Sequence, residues 1–595
     1  MKARASLDDL AMIGNGQVAF LVDSCGSISW GCWPRLDGDP MFCSLLSGDP
    51  LFPTRGVFAI ELMGQSRSDI SYLRNTAIVE STLSDDRGGT VRVTDFCPRF
   101  RRYGRMFRPA MLVRIVEPVG GRPIVRVRLS PASANGSRTI PGVPGSHHIA
   151  FGDARLTTDA SLTYIEEHRW FVLDRPLHLI FGPNETLDDS PAAVARSFLD
   201  ASADYWREWV RSLSVPSEWQ EAVIRAAITL KLCAFEDTGA IIAAPTTSIP
   251  ESPGSARNWD YRYCWLRDAY FTVQALNRLG ATRTMEAFMS YIDALASSSP
   301  ESDLQPVYGI SNEAALNEID IPALPGYRGD GPVRIGNSAF AQSQHDAYGS
   351  VILASTQAYF DERLARPGDR VRFERLETLG ERAAQLFDTP DAGLWELRGR
   401  HHRHTFSAAM CWAACDRLAR IAARLGLAER ESAWRHRAQG LSASILARSW
   451  HAGRESLSSD LDEFSLDASL LLLPELGLIS WNDERFLSTM ARIEKDLMSG
   501  GYVMRYRHED DFGAPTHAFL ACSFWWVHAL AATGRAEEAR ERFNHLLGIR
   551  NRVGLLSEHI DPATAELWGN FPQSYSLVGI ITSALRLSRP WEDML

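Results

Sequence analysis

In EWQEAVIRAAITLKLCAF, residues 218–235, apolar side chains return at three- and four-residue intervals, the period of an amphipathic helix. The same period recurs at 268–279, 407–425 and 516–533, and about twelve such runs fill the chain after Ser217. Twelve helices in succession predict a six-fold α/α barrel. In that architecture inner helices pack on one another, an outer ring covers them, and the loops at one end frame a pocket. Segments 242–259 and 299–337 are rich in Pro, Gly and Ser and too long for simple connectors, so they are expected to form pocket walls.

Before this change of period the pattern is different. Ala19-Phe20-Leu21-Val22, the turn Asp23-Ser24-Cys25-Gly26 and Ser27-Ile28-Ser29-Trp30 read as a hairpin. Further strands are expected at 56–62, 76–83, 90–96, 111–117 and 124–129, with Asp86-Arg87-Gly88-Gly89 as a turn. The chain therefore divides into an N-terminal antiparallel β-sandwich (1–190), a helical linker (191–216) carrying Phe198, Tyr205, Trp206 and Trp209, and the α/α barrel (217–595).

A length of 595 residues suits two folded units, and 45% hydrophobic with 23% charged residues is ordinary for a globular protein. The formal net charge of −11 argues against a nucleic-acid partner, which needs clustered basic surface, and favours a neutral small molecule. Residues 1–13 contain no continuous apolar stretch, so neither a secretory signal nor a membrane span is expected, and the location is read as cytoplasmic. The nine cysteines are scattered without a C-x-x-C pair and are read as reduced. Cys411 and Cys415, four apart in an apolar run, are read as core rather than as metal ligands. No sequence feature sets the oligomeric state.

Chemistry is concentrated in Asn258-Trp259-Asp260-Tyr261-Arg262-Tyr263-Cys264-Trp265-Leu266-Arg267-Asp268. Aromatic faces cover the C–H surface of a pyranose, while Arg and carboxylate groups bind its hydroxyls. The plainer alternative is a set of core aromatics with a helix-start ion pair. Hydrolysis of a glycosidic bond with inversion needs an acid to protonate the departing oxygen and an opposed carboxylate, ~6.5–9.5 Å away, to activate water. Glu396 in Gly393-Leu394-Trp395-Glu396 and Glu558 in Leu556-Ser557-Glu558-His559-Ile560-Asp561-Pro562 are candidates, but among 73 acidic residues spacing alone does not select them.

These landmarks resemble glycoside hydrolase family 15, which includes glucoamylases, glucodextranases and certain bacterial and archaeal trehalases. Ile13-Gly14-Asn15-Gly16 through Trp30-Gly31-Cys32-Trp33-Pro34-Arg35 resembles the trehalase-like N-terminal domain. Ala244-Pro245-Thr246-Thr247-Ser248, the 258–268 block, Trp395-Glu396 and Gly569-Asn570-Phe571-Pro572-Gln573 resemble the catalytic half. The resemblance implies a β-sandwich followed by a six-fold α/α barrel, and an exo-acting, inverting α-glucoside hydrolase that releases β-glucose without cofactor or catalytic metal. It places the general acid at Glu396 beside Trp395, the general base at Glu558, and sugar contacts at Trp265, Arg267 and Asp268, with Tyr261 facing the reacting centre. Arg505 resembles a sugar-binding arginine. Gln344 and Asp346, introduced by Val333-Arg334-Ile335-Gly336-Asn337, are further pocket candidates.

Leu397 stands where fungal glucoamylases carry a second glutamate that contacts the leaving sugar, so Arg398 and His401-His402-Arg403-His404 are read as shaping that side. No metal site is expected from those histidines. The implied substrates are trehalose or short α-gluco-oligosaccharides. Rival readings are activity on longer α-glucans or isomaltose, a phosphorylase using phosphate in place of water, and a noncatalytic carbohydrate sensor.

Overall fold

The computed structural model describes residues 6–48, 54–298 and 303–593. Its first half is built on two large antiparallel sheets. One is seven-stranded, running Leu10–Gly14, Ala19–Asp23, Ser27–Trp33, Val57–Leu62, Ile124–Ser130 and Phe171–Val172, with Asp39–Phe42 paired to Ser27–Trp33. The other has eight strands, its centre formed by Leu177–Pro183, Leu112–Gly120, Thr90–Phe96 and Val79–Asp85. The expected hairpin is present, with Leu21 opposite Trp30.

The sheets share one core, in which Phe42 and Phe58 of the first meet Phe181 of the second at 5.4 and 6.3 Å between ring centres. Arg114 ties them together: it is fully buried, pairs with Asp95 at 2.7 Å, and donates to the carbonyls of Phe58 and Gly26. A buried guanidinium is tolerated because its donors are met on both sides.

Helix α1 (Leu162–Glu166) is a single short turn. Helix α2 (Pro191–Arg211), capped by Ser190, packs Val194, Ala195 and Ala203 against Phe96, Val113 and Ile180 on the second sheet. The stretch read as a linker is therefore docked along the β half.

Twelve α-helices follow among the described residues. They are α3 (Gln220–Leu232), α4 (Leu266–Arg278), α5 (Thr282–Ser298), α6 (Asp346–Phe360), α7 (Arg370–Leu386), α8 (Thr405–Arg424), α9 (Ala428–Ser449), α10 (Leu473–Leu476), α11 (Glu484–Leu497), α12 (Leu520–Ala532), α13 (Ala536–Gly548) and α14 (Ser574–Leu587). The even-numbered members from α4 onward touch in sequence: α4 meets α6, α6 meets α8, α8 meets α10, the turn Ala468–Leu472 before α10 meets α12, α12 meets α14, and α14 returns to α4. The odd-numbered helices lie outside that ring, as where α9 covers α8 and α13 covers α12. Burial follows this division where the outer helix faces solvent, α12 burying ten of its 13 residues and α9 four of 22, whereas the odd-numbered α3 buries ten of 13 because the β half packs on it.

Two helix starts differ from the sequence expectation and matter for the site. Helix α4 begins at Leu266, which puts Arg267 and Asp268 in its first turn. Helix α12 begins only at Leu520, because Ala518–Phe519 is instead a strand paired with His559–Ile560. That pairing anchors the segment carrying Glu558.

The β half braces the loop leading into α4. Trp30 Nε1 donates to Pro245 O at 2.7 Å, and Arg262 Nη1 reaches Gly38 O at 2.8 Å while its other nitrogens fork onto Asp260. No helix among the described residues is long and apolar enough to cross a membrane.

Candidate active site

The loops that precede α4, α6, α8, α12 and α14 meet at one end of the helical ring around a cavity of about 900 Å³, measured out to its open mouth. Glu396 and Glu558, from loops far apart in sequence, both line it, as do Tyr261, Trp265, Arg267, Asp268, Trp395 and Arg505. Segment 242–259, read as pocket wall, contributes Ala243, Glu251, Arg257 and Trp259. Of 299–337, Asn337 lines the cavity, and 299–302 lie outside the described residues.

Glu396 sits on a loop closed at its neck by reciprocal backbone bonds between Asp391 and His402, of 2.9 and 3.1 Å. Its φ of 58° is in the left-handed region that side-chain-bearing residues rarely occupy. Surrounding bonds hold it there: Gln342 Nε2 donates to Glu396 O at 3.2 Å, while Asp391 Oδ2 accepts from His345 N and Ser407 Oγ, both at 2.8 Å. Such strain, worth roughly 1–3 kcal/mol, characteristically persists at functional sites. Trp265 Nε1 at 2.6 Å and Arg267 Nη2 at 3.1 Å both donate to Oε1 of Glu396. Among the described residues no donor reaches Oε2.

Glu558 is more enclosed, its side chain 5% exposed against 25% for Glu396. The Tyr261 hydroxyl donates to its Oε1 at 2.6 Å, and His559 Nδ1 lies 3.2 Å from Oε2. Gly569 makes room for it, because a Cβ there would fall 2.9 Å from Glu558 Cβ.

Gln344 and Asp346 correct the sequence reading. Neither lines the cavity; both stand behind Arg267, whose Nη1 donates to Gln344 Oε1 at 2.9 Å and Asp346 Oδ2 at 3.1 Å. They fix the arginine rather than meet a ligand. Asp268 is buried beside it. Burial, with the charges of Glu396 and Glu558 adding to it and Arg267 opposing, pushes its carboxyl up to about 7. Trp395 is held by a 2.8 Å bond from Nε1 to Asp467 and packs among Tyr506, Phe519 and Trp525.

Paired carboxylates, a clamped arginine and aromatic walls on one cavity are what glycosidic bond cleavage needs, and comparison with known proteins agrees. The model of "Glycosyl hydrolases family 15" matches residues 218–585. The chain belongs to glycosyl hydrolase family 15. A second model, "Trehalase-like, N-terminal", matches residues 2–140. This family 15 chain is 31% identical to the trehalase of Thermoplasma volcanium, over 97% of its own length and 92% of that protein's. It is 30% identical to the trehalase of Mycolicibacterium smegmatis, over 98% and 92%. A bacterial glucoamylase complexed with acarbose superposes with a TM-score of 0.65 at 14% identity, covering 98% of this chain and 94% of that one, which establishes likeness of fold. The protein is a glycoside hydrolase.

The family 15 pocket here contains groups to which reading the sequence gave no individual role. Glu251 accepts from Arg505 Nη2 at 2.8 Å and from Trp259 Nε1 at 3.0 Å. Burial works to raise its carboxyl, but the charges of Arg505, His559 and Arg257 prevail and bring it down to about 2. Arg257 forks onto Asp510 at 2.6 and 2.7 Å, and Tyr506 donates to the same carboxylate at 2.5 Å. Gln573 and Tyr575, at the start of α14, complete the closed end. Only the richness of 242–259 in loop-forming residues pointed toward Glu251 and Arg257.

Two sets of donor atoms lie close enough to share a cation among the described residues: Glu251, Glu558 and His559, and separately His402, Asp460 and Glu463. In the first, both carboxylates already have protein donors. The second includes the 2.9 Å contact of His402 Nδ1 with Asp460, on the His401–His404 side where no metal site was expected.

Proposed function

We propose that this chain is an exo-acting, inverting α-glucosidase acting on trehalose, with Glu396 as general acid and Glu558 as general base. One observation carries the reading: two carboxylates from separate loops share a single cavity whose closed end presents Arg267, Asp268 and Trp265. The trehalase relatives support this choice of substrate over longer glucans. We also read the closed helical ring as a six-fold α/α barrel (217–595), the paired sheets as a β-sandwich (1–190), and 191–216 as the helical connection.

In this scheme one glucosyl ring occupies the closed end, its hydroxyls bonded to Arg267 and Asp268 and its C–H face against the indoles. Glu396 Oε2 delivers a proton to the bridging oxygen. Glu558 removes a proton from a water that attacks the anomeric carbon from the opposite face, so the bond to the departing oxygen breaks as the new one forms. The attacked ring leaves as β-glucose. The departing ring keeps its own anomeric bonds untouched and leaves as α-glucose.

Trehalose therefore yields equal amounts of β- and α-glucose before mutarotation. Proton NMR of the first products, with maltose, isomaltose and soluble starch run alongside, tests this. α-Glucose alone would reject inversion, and turnover confined to starch would reject the substrate.

A further inference from the structure

Beyond the two carboxylates, the cavity has a distinct outer part. The residues that would grip the first ring, Trp265, Arg267 and Asp268, are buried, whereas Trp259, Arg398 and Phe512 are half-buried and Asp511 is exposed. A departing ring must lie on this open side of Glu396, since the acid protonates the oxygen it carries. Arg398 follows the acid by two residues and lines the same cavity.

Its guanidinium is fixed from two directions. Nη1 and Nη2 fork onto Glu318 at 2.8 and 2.6 Å, and the guanidinium carbon lies 4.2 Å from the ring centre of Trp259. The backbone is pinned as well, because Arg398 N and Gly399 N both donate to Asp511 Oδ2, at 2.7 and 3.0 Å. Trp259 is held in turn by Glu251 and lies edge-to-face against Phe512. A guanidinium has five N–H donors, and the fork on Glu318 engages two of them. The charge is balanced and the side chain ordered, so the remaining donors can meet neutral hydroxyls with little further loss of freedom.

We propose that Arg398, stacked on Trp259 and clamped by Glu318, is a specificity-determining residue that binds the hydroxyls of the departing pyranose. The assignment rests on the hydrolase reading above and deepens it: it makes the mouth a site for one hydroxylated ring rather than for an aglycone of any kind.

The test compares trehalose with cyclohexyl α-glucoside. The second substrate still needs a general acid and has a six-membered leaving ring, but that ring carries no hydroxyls. In Arg398→Ala the ratio of kcat/KM for trehalose to that for cyclohexyl α-glucoside should fall about 30-fold, the loss expected for charge-assisted hydrogen bonds. Arg398→Lys, whose ammonium cannot fork, should fall less but in the same sense, and it decides the matter if the alanine variant does not fold. Glu318→Gln should lower the ratio by less than Arg398→Ala. An unchanged ratio, with both substrates slowed together, would mean that Arg398 merely braces the Glu396 loop and would overturn the proposal. A wild-type chain that cleaves the cyclohexyl glucoside but no disaccharide would instead remove the parent reading, and this one with it.

Discussion

Trp265 Nε1 donates to Glu396 Oε1 at 2.6 Å, and this bond connects the residue that opens α4 to the loop before α8. Because Arg267, two residues on in the first turn of α4, addresses the same oxygen, the carboxyl plane is set by one edge and the other edge faces the cavity. On the opposite side Tyr261, from the same short segment, sets Glu558. A stretch of seven residues thus orients both carboxylates, which is why bracing of 245–262 by the β half bears on the chemistry.

The two glutamates should respond differently to leaving-group chemistry. Glu396→Gln should lower kcat/KM on trehalose by about 10³-fold, yet spare α-glucosyl fluoride to within about tenfold, since fluoride departs without protonation. Glu558→Gln should lose about 10³-fold on both, because water must be activated in either case. Equal loss on both substrates in Glu396→Gln would remove its assignment as the acid.

Asp346 is a structural partner of a buried charge. Arg267 and Asp346 side chains are 8% and 0% exposed, so Asp346→Ala removes one counter-charge from a guanidinium that is largely shielded from water. Breaking a buried pair from one side costs about 3 kcal/mol. The urea midpoint should fall accordingly, with trehalose activity falling as well because Arg267 is freed to shift from Glu396. An unchanged midpoint would show that Gln344 and Asp268 hold the arginine without it.

Much of this was legible from periodicity, because the strands Thr90–Phe96 and Ile124–Ser130 and the helices Pro191–Arg211 and Thr405–Arg424 announce themselves, to within a few residues at their ends, by which side chains alternate or recur. The boundaries that were missed have local causes. Residues 516–519 look apolar enough to extend α12, but tertiary pairing of Ala518–Phe519 with His559–Ile560 overrides helix propensity there. Glu396 and Glu558 could be named only through resemblance, since nothing in their spacing brings two loops 162 positions apart to one cavity. Glu251 and Arg257 were invisible for the same reason: each becomes a site residue by a contact across more than 250 positions, to Arg505 and to Asp510 of the arginine loop. Gln344 and Asp346 were located near the site but given the wrong task, because a sequence does not show on which side of Arg267 they stand.

Asp391 at the neck of the acid loop should leave a signature in stability against pH. Burial first, with the charge of Asp346 adding to it, raises its carboxyl to about 7, against 3.8 unperturbed. Below pH 3.8 both folded and unfolded chains hold this proton, so its contribution is fully present. Between about pH 4 and 7 the unfolded chain has lost the proton and the folded one keeps it, so stability declines as pH rises. Above about 7 neither holds it. Asp391→Asn does not titrate, so the unfolding free energy of the natural chain minus that of the variant should decrease across pH 4 to 7, by at most about 1.4 kcal/mol per pH unit. Urea unfolding at pH 4.5, 5.5 and 6.5 measures it, and a difference that stays constant or grows would contradict the burial of this carboxyl in its neutral form.

Gly569 tests whether close approach to the base is essential. Its φ is +78°, and an added Cβ would meet Glu558 Cβ at 2.9 Å, His559 Nδ1 at 3.0 Å and Glu558 Oε2 at 3.1 Å. The first contact is with the stem of the base and cannot be relieved by swinging a flexible tip. Gly569→Ala should therefore push the Glu558 carboxylate off the Tyr261 hydroxyl and away from the attacking water. A left-handed alanine adds about 1 kcal/mol of backbone strain. Displacing a general base by even 1 Å is costly in rate, of order 10²-fold, whereas the first-ring contacts at Arg267 and Asp268 are made by another helix and stay in place. The expected result is a fall of about 10²-fold in kcat on trehalose with KM within about threefold of the natural chain. A variant with unaltered kcat would show that Glu558 has more freedom than its packing implies, and would count against its role as the base.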